Sequence, residues 1–238
     1  MLGGSLVKGF GRPGSDVDMM LVVGEAAYSE RQRTGELTFY TAEYADYDGG
    51  YVDGKYVARS FLELVADKGS EPSRAAFWQA YVAWSRPGTP PLEELIARIT
   101  AYPEQSREAN IARFVAQVRA MDWYVGEAET VDNPYLLNWS AVRAVLFTGR
   151  ILLAHNRLLY PYHKWLLATV ALAPDKPATY VKLADELMRT PTAAGTRELC
   201  ELVLTFRDWG EPSVDWPAQF LQDSELNWLH GHTPIEDL

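Results

Sequence analysis

Two aspartates, Asp16 and Asp18, stand two residues apart at the head of the apolar run Val17-Asp18-Met19-Met20-Leu21-Val22-Val23. In a strand, side chains alternate between faces, so this spacing puts both carboxylates on one face and Val17 and Met19 on the other. Like charges held side by side repel and raise each other's pKa. A divalent cation relieves that repulsion, and Mg²⁺ in particular prefers carboxylate oxygens, keeping waters and phosphates as its other ligands. Upstream, Gly4-Ser5 is separated from Asp16 by ten residues. Glycine lets a backbone approach a phosphate closely, and exposed N–H groups with a serine hydroxyl can cradle its oxygens. Lys8 and Arg12 lie in the intervening loop, where they would neutralise polyphosphate charge. A third carboxylate would complete a two-metal site. Asp53, in Tyr51-Val52-Asp53-Gly54-Lys55-Tyr56-Val57, is the first choice; Asp48, just before Gly49-Gly50, is the second.

These residues need a sheet to hold them. Before about residue 70 the chain has Gly-rich turns and short runs of strand formers, Asp16 to Val23, Leu37 to Ala45 and Tyr51 to Val57. Gly49-Gly50 separates the last two as a hairpin turn would. Ser60-Phe61-Leu62-Glu63 reads as a capping box, with Gly69 as the helix stop. Beyond it the periodicity is helical, over about 74–84, 91–102, 105–126, 138–159, 162–173, 178–189, 193–209 and 218–230. The expected fold is therefore α+β, a small mixed sheet over residues 1–70 followed by an α-helical bundle over 71–238.

The ordered set Gly4-Ser5, then Ser15-Asp16-Val17-Asp18, then Val52-Asp53 on a later strand resembles the nucleotidyltransferase superfamily that includes DNA polymerase beta and the aminoglycoside nucleotidyltransferases. The resemblance covers roughly residues 3–57. It implies that Gly4 and Ser5, with Ser15 nearby, hold the phosphates of ATP or another nucleoside triphosphate. Asp16 and Asp18 would bind two Mg²⁺ ions and Asp53 would share the catalytic one. The implied reaction is transfer of a nucleoside monophosphate, AMP foremost, to a hydroxyl, with release of pyrophosphate. An alternative is a non-catalytic or regulatory protein of the same fold, such as an antitoxin-type partner. The family's Gly-Ser normally follows a leading helix, and only Met1-Leu2-Gly3 precede it here.

The stretch Leu153 to Leu166 resembles one in uncharacterised bacterial proteins that join such a head to a helical tail. Arg157 and Lys164, seven apart, would share a helical face there if the turn at Tyr160-Pro161 is small, and would then suit a triphosphate. The competing reading pairs them with local acids. The resemblance to the resistance enzymes, which take their base from a glutamate of the helical half, makes Glu127 and Glu129 unranked candidates for the general base. His155 and His163 lack zinc-ligand spacing with a third donor.

Composition narrows the partners. A charge of −10, from 22 basic and 32 acidic residues, disfavours nucleic acid and allows a small or cationic acceptor. The apolar fraction of 47% excludes a disordered chain. No uninterrupted apolar run nears the roughly 18 residues of a membrane span, and no signal-peptide pattern opens the chain. The single cysteine, Cys200, reads as a small buried residue, and a reducing, cytoplasmic setting is expected. Homo-oligomerisation is left open.

Overall fold

The computed structural model describes residues 1–210 and 214–231. It is an α+β protein that divides into two compact units, Met1–Ala101 and Tyr102–Leu238.

The first unit begins with β1 (Leu2–Gly3), α1 (Gly4–Val7) and β2 (Val17–Val23). It continues with α2 (Glu25–Thr34), β3 (Thr38–Thr41) and β4 (Val52–Ala58). Three helices complete it: α3 (Arg59–Lys68), α4 (Glu71–Ala75) and α5 (Glu93–Thr100). The strands form one mixed sheet in the order β1-β2-β4-β3. Its central pair, β2 and β4, is parallel, and both outer pairings are antiparallel.

The alternation of side chains divides labour along the strands. One face carries Asp18, Met20 and Val22 from β2 and, in register, Asp53, Lys55 and Val57 from β4. Met20 and Val57 are buried with Leu62, Val65, Phe77, Leu95 and Ile99 in the core of this unit. A single sheet face thus changes from acidic at the strand starts to apolar further along. On the opposite face α2 packs against β4, and its Arg31 guanidinium lies 3.6 Å from the centre of the Tyr56 ring. Helix α2 has no buried residue and no apolar stripe, which is why periodicity does not reveal it.

Several expectations are corrected here. The expected boundary near residue 70 falls inside the first unit, because α4 and α5 belong with the sheet. The buried Arg74 guanidinium shows why. Its Nε donates to the Gly69 carbonyl at 2.9 Å, its Nη2 to Ala66 at 2.8 Å and its Nη1 to Ile99 at 3.2 Å, tying the ends of α3 and α5 together. Charged donors to buried carbonyls are among the stronger hydrogen bonds, so Arg74→Met should cost about 2–4 kcal/mol. The check is the urea midpoint of the full chain at unchanged slope; a wild-type midpoint would refute this role.

The helix expected over 74–84 is only Glu71–Ala75, since the backbone of Tyr81 is claimed by Leu2 of β1 through reciprocal hydrogen bonds of 3.0 and 3.1 Å. Gln79, with φ of 60°, breaks the helical path between them. The capping box at Ser60 does not form, because α3 starts at Arg59 and Glu63 pairs with Arg59 instead. The Ser60 N–H and hydroxyl are taken by Glu25 of α2, a cap supplied from 35 residues away.

The second unit is helical: α6 (Arg107–Thr130), α7 (Pro134–His155), α8 (Leu166–Ala171), α9 (Tyr180–Arg189), α10 (Ala193–Leu204) and α11 (Trp216–Asp223). Asn133 caps α7 through its Oδ1, with Pro134 at the first helical position. The core gathers Val118, Met121, Ala144, Val145, Leu152, Leu199 and Val203 around the fully buried Tyr180. The Tyr180 hydroxyl donates to the Val145 carbonyl at 3.1 Å. Cys200 is buried in this core, which pushes its thiol up to about 12. Among the described residues α7 is the one helix long and apolar enough to cross a membrane, and it is half buried within the unit. Its arginines, Arg143 and Arg150, interrupt the apolar run, so counting uninterrupted residues passes over it.

Candidate metal centre

Residues at the heads of β2 and β4 build the site. One carboxylate oxygen from each of Asp16, Asp18 and Asp53 lies within 4.8 Å of the other two, and all three residues are partly buried. The parallel register of β2 and β4 sets Asp18 beside Asp53. Asp16 stands just before β2, where the Val17 N–H donates to the Tyr51 carbonyl at 2.9 Å and holds the strand entrance to β4. Asp48 has no part in the cluster.

The pairing extends across the whole sheet. Gly3 is opposite Asp18, Asp18 is beside Asp53, and Asp53 is opposite Tyr40. These four positions form one row on one face, with the glycine turn at one end and a tyrosine at the other.

The surroundings of Asp18 act on its carboxyl. Burial raises its carboxyl above the ordinary value, and the negative charges of Asp16 and Asp53 raise it further. Lys55 and the Ser5 backbone N–H, which donates to Asp18, act in the opposite sense. Tyr51 hydrogen-bonds Asp16, and the charge of that carboxylate is the main reason its phenol is raised. The arrangement is one of crowded hard oxygen donors with incomplete compensation, and it fits a divalent cation such as Mg²⁺.

Gly4 lies against Asp18. It has φ of +74°, and a Cβ there would lie 1.6 Å from Asp18 Oδ2. Only a residue without a side chain lets this backbone lie against the carboxylate. Ser5 is buried next to it.

The other expected phosphate ligands are placed as follows. Lys8 Nζ donates to the Ala75 carbonyl at 2.8 Å, and burial lowers its pKa while Asp18 opposes that shift. Arg12 and Ser15 form a turn in which the Arg12 N–H donates to Ser15 Oγ at 2.8 Å. Tyr47 braces this turn by donating its hydroxyl to the Ser15 carbonyl at 2.6 Å.

Arg157 and Lys164 belong to the second unit and do not share a helical face there. Helix α7 ends at His155, Arg157 has φ of 56°, and Lys164 sits in a 3₁₀ turn over His163–Trp165. Arg157 grips Glu104 in a two-pronged pair of 2.8 and 2.9 Å, as the local-acid reading expects. The Lys164 ammonium lies 5.3 Å from the centre of the Trp165 ring. Glu129 is paired with Arg197 at 2.6 Å.

Sequence reading missed Tyr51 and Tyr40. Tyr51 was legible, since period-2 spacing sets it on the face of Asp53 and Lys55. Tyr40 was not, because only the β3–β4 register brings it to Asp53. Comparison with the models of known protein families and with curated proteins gives no match to this chain.

Proposed function

We propose that the first unit is the catalytic head of a Mg²⁺-dependent nucleotidyltransferase. It moves a nucleoside monophosphate, AMP from ATP, onto a hydroxyl of a small molecule and releases pyrophosphate. One observation carries this reading: Asp16, Asp18 and Asp53 converge beside the side-chain-free backbone of Gly4. Mg²⁺ bound there would supply charge neutralisation at the phosphorus and a lowered pKa for the attacking hydroxyl.

The residues divide the remaining work. Asp16 and Asp18 hold the metal site, and Asp53 completes it from the neighbouring strand. Tyr51 sets its phenol beside the Asp16 carboxylate. Gly4, having no side chain, lets the backbone lie against the Asp18 carboxylate, and Lys55 sets a positive charge on the face of the acids. The net charge of −10 favours a small acceptor over a nucleic acid, whose phosphates the surface would repel.

The test uses ATP labelled at either the α- or the γ-phosphate, with Mg²⁺ and a pooled metabolite extract. The α-label should move to an acceptor, while the γ-label should leave as pyrophosphate. Transfer of the γ-label, or transfer of neither, overturns the reading. Asp53→Asn should keep ATP affinity within about tenfold, about 1.4 kcal/mol, and lose turnover. Equal turnover in Asp53→Asn and the wild type would remove Asp53 from the site.

A further inference from the structure

The tyrosine at the end of the acidic row has no part in holding a metal. Tyr40 is 68% exposed on β3, the edge strand. Its ring packs against that of Tyr51 in a tilted contact, with centroids 4.9 Å apart and planes inclined at 37°. Tyr51 in turn lies beside Asp16. The result is an aromatic surface that is backed by Tyr51 on its inner side and open on its outer side, one strand spacing of about 4.8 Å beyond Asp53.

The charge along the row orients a nucleotide. Residues 34–54 contain five acids, Glu36, Glu43, Asp46, Asp48 and Asp53, and no lysine or arginine. That segment repels phosphates. Gly4 and Lys8 lie at the other end, so the polyphosphate belongs there and the uncharged end of the nucleotide points towards β3. A nucleobase is flat and carries no charge, and its face matches a tyrosine ring.

Resting on the nucleotidyl-transfer reading, we infer that Tyr40, backed by Tyr51, is the platform on which the nucleobase of the triphosphate stacks. Tyr40 is then a nucleotide-positioning residue that reads the face of the base, and the ribose spans the step from Asp53 to β3.

The probes are α,β-methylene-ATP, which cannot be cleaved at the reacting bond, and inorganic tripolyphosphate, which has no base. Each is titrated calorimetrically with Mg²⁺ into the full chain. Tyr40→Ala should bind α,β-methylene-ATP about tenfold more weakly than the wild type, as the loss of one stacked base predicts. Its affinity for tripolyphosphate should stay within about twofold of the wild type. Tyr40→Phe keeps the ring and should bind both as the wild type does. Circular dichroism establishes that the variants are folded, and Tyr40→Thr, a strand former without a ring, replaces the alanine variant if that does not fold. Unchanged binding of α,β-methylene-ATP by the ring-less variant overturns the platform. Equal weakening of both probes also overturns it, since Tyr40 would then support the metal site and not the base. A wild-type protein that binds neither probe overturns the nucleotidyl-transfer reading itself, and the platform with it.

Discussion

Asp18→Asn should abolish Mg²⁺ binding and transfer, yet make the metal-free protein more stable than the wild type at neutral pH. The carboxyl of Asp18 is raised above its ordinary value of 3.8, first by burial and then by the charges of Asp16 and Asp53. A raised carboxyl means that the folded protein binds this proton more tightly than the unfolded chain does. Stability from the group is then fully present below the ordinary value and falls as pH rises through the raised one. At neutral pH the ionised group is a net cost to the metal-free fold, and the amide removes that cost. Melting temperatures of both proteins in EDTA, from acid to neutral pH, isolate the effect as a difference. The variant's advantage should grow as pH rises and disappear in acid. Saturating Mg²⁺ should stabilise the wild type and leave the variant unmoved. A variant that binds Mg²⁺ normally would dismiss Asp18 as a ligand, and one less stable than the wild type at neutral pH without metal would show that the ionised carboxylate is no cost to the fold.

Gly4→Ala should be the most damaging single-carbon change in the first unit. Alanine at φ of +74° costs about 1 kcal/mol in backbone strain alone. The new Cβ would also lie 2.5 Å from the Cβ of Asp18, so turning the carboxylate aside is not enough and the turn or the strand must shift. Overpacking of this kind adds about 1–3 kcal/mol, for a total of about 2–4 kcal/mol. Gly35→Ala is the control. Gly35 has φ of +78° with nothing within 4 Å of a Cβ, so only the strain of about 1 kcal/mol should appear there. Denaturant unfolding of both variants measures the difference, and Mg²⁺ titration of folded Gly4→Ala should show a loss that Gly35→Ala lacks. Equal stability of the two would mean that the contact between Gly4 and Asp18 does not constrain the site.

Much of the acidic face was legible from spacing. Asp16 and Asp18 stand two apart at the head of an apolar run, and Asp53 and Lys55 repeat that spacing on a later one. Alternation in a strand is a local property of the backbone, so it assigns faces without knowledge of the fold. The same holds for the helical periodicity of the second unit and for Cys200, which is buried as its type suggests. Helix α2 escaped because its surface is polar all round, and the length of α4 escaped because Tyr81 prefers a backbone partner in β1.

Local spacing therefore determined which residues share a face, and the tertiary structure decided which faces meet. No pattern within β2 or β4 sets their relative register; it follows from their parallel pairing, reached through α2 and β3, and it brings Asp18 beside Asp53, while the separate antiparallel register of β3 on β4 sets Tyr40 opposite Asp53. Long-range contacts likewise decided that Glu25 caps α3, that Arg74 extends the first unit to Ala101, and that Arg157 is held by Glu104. Hydrogen-bond partners at such separations are selected by the packing of whole elements, whereas alternation and helical period are imposed by each residue's own backbone.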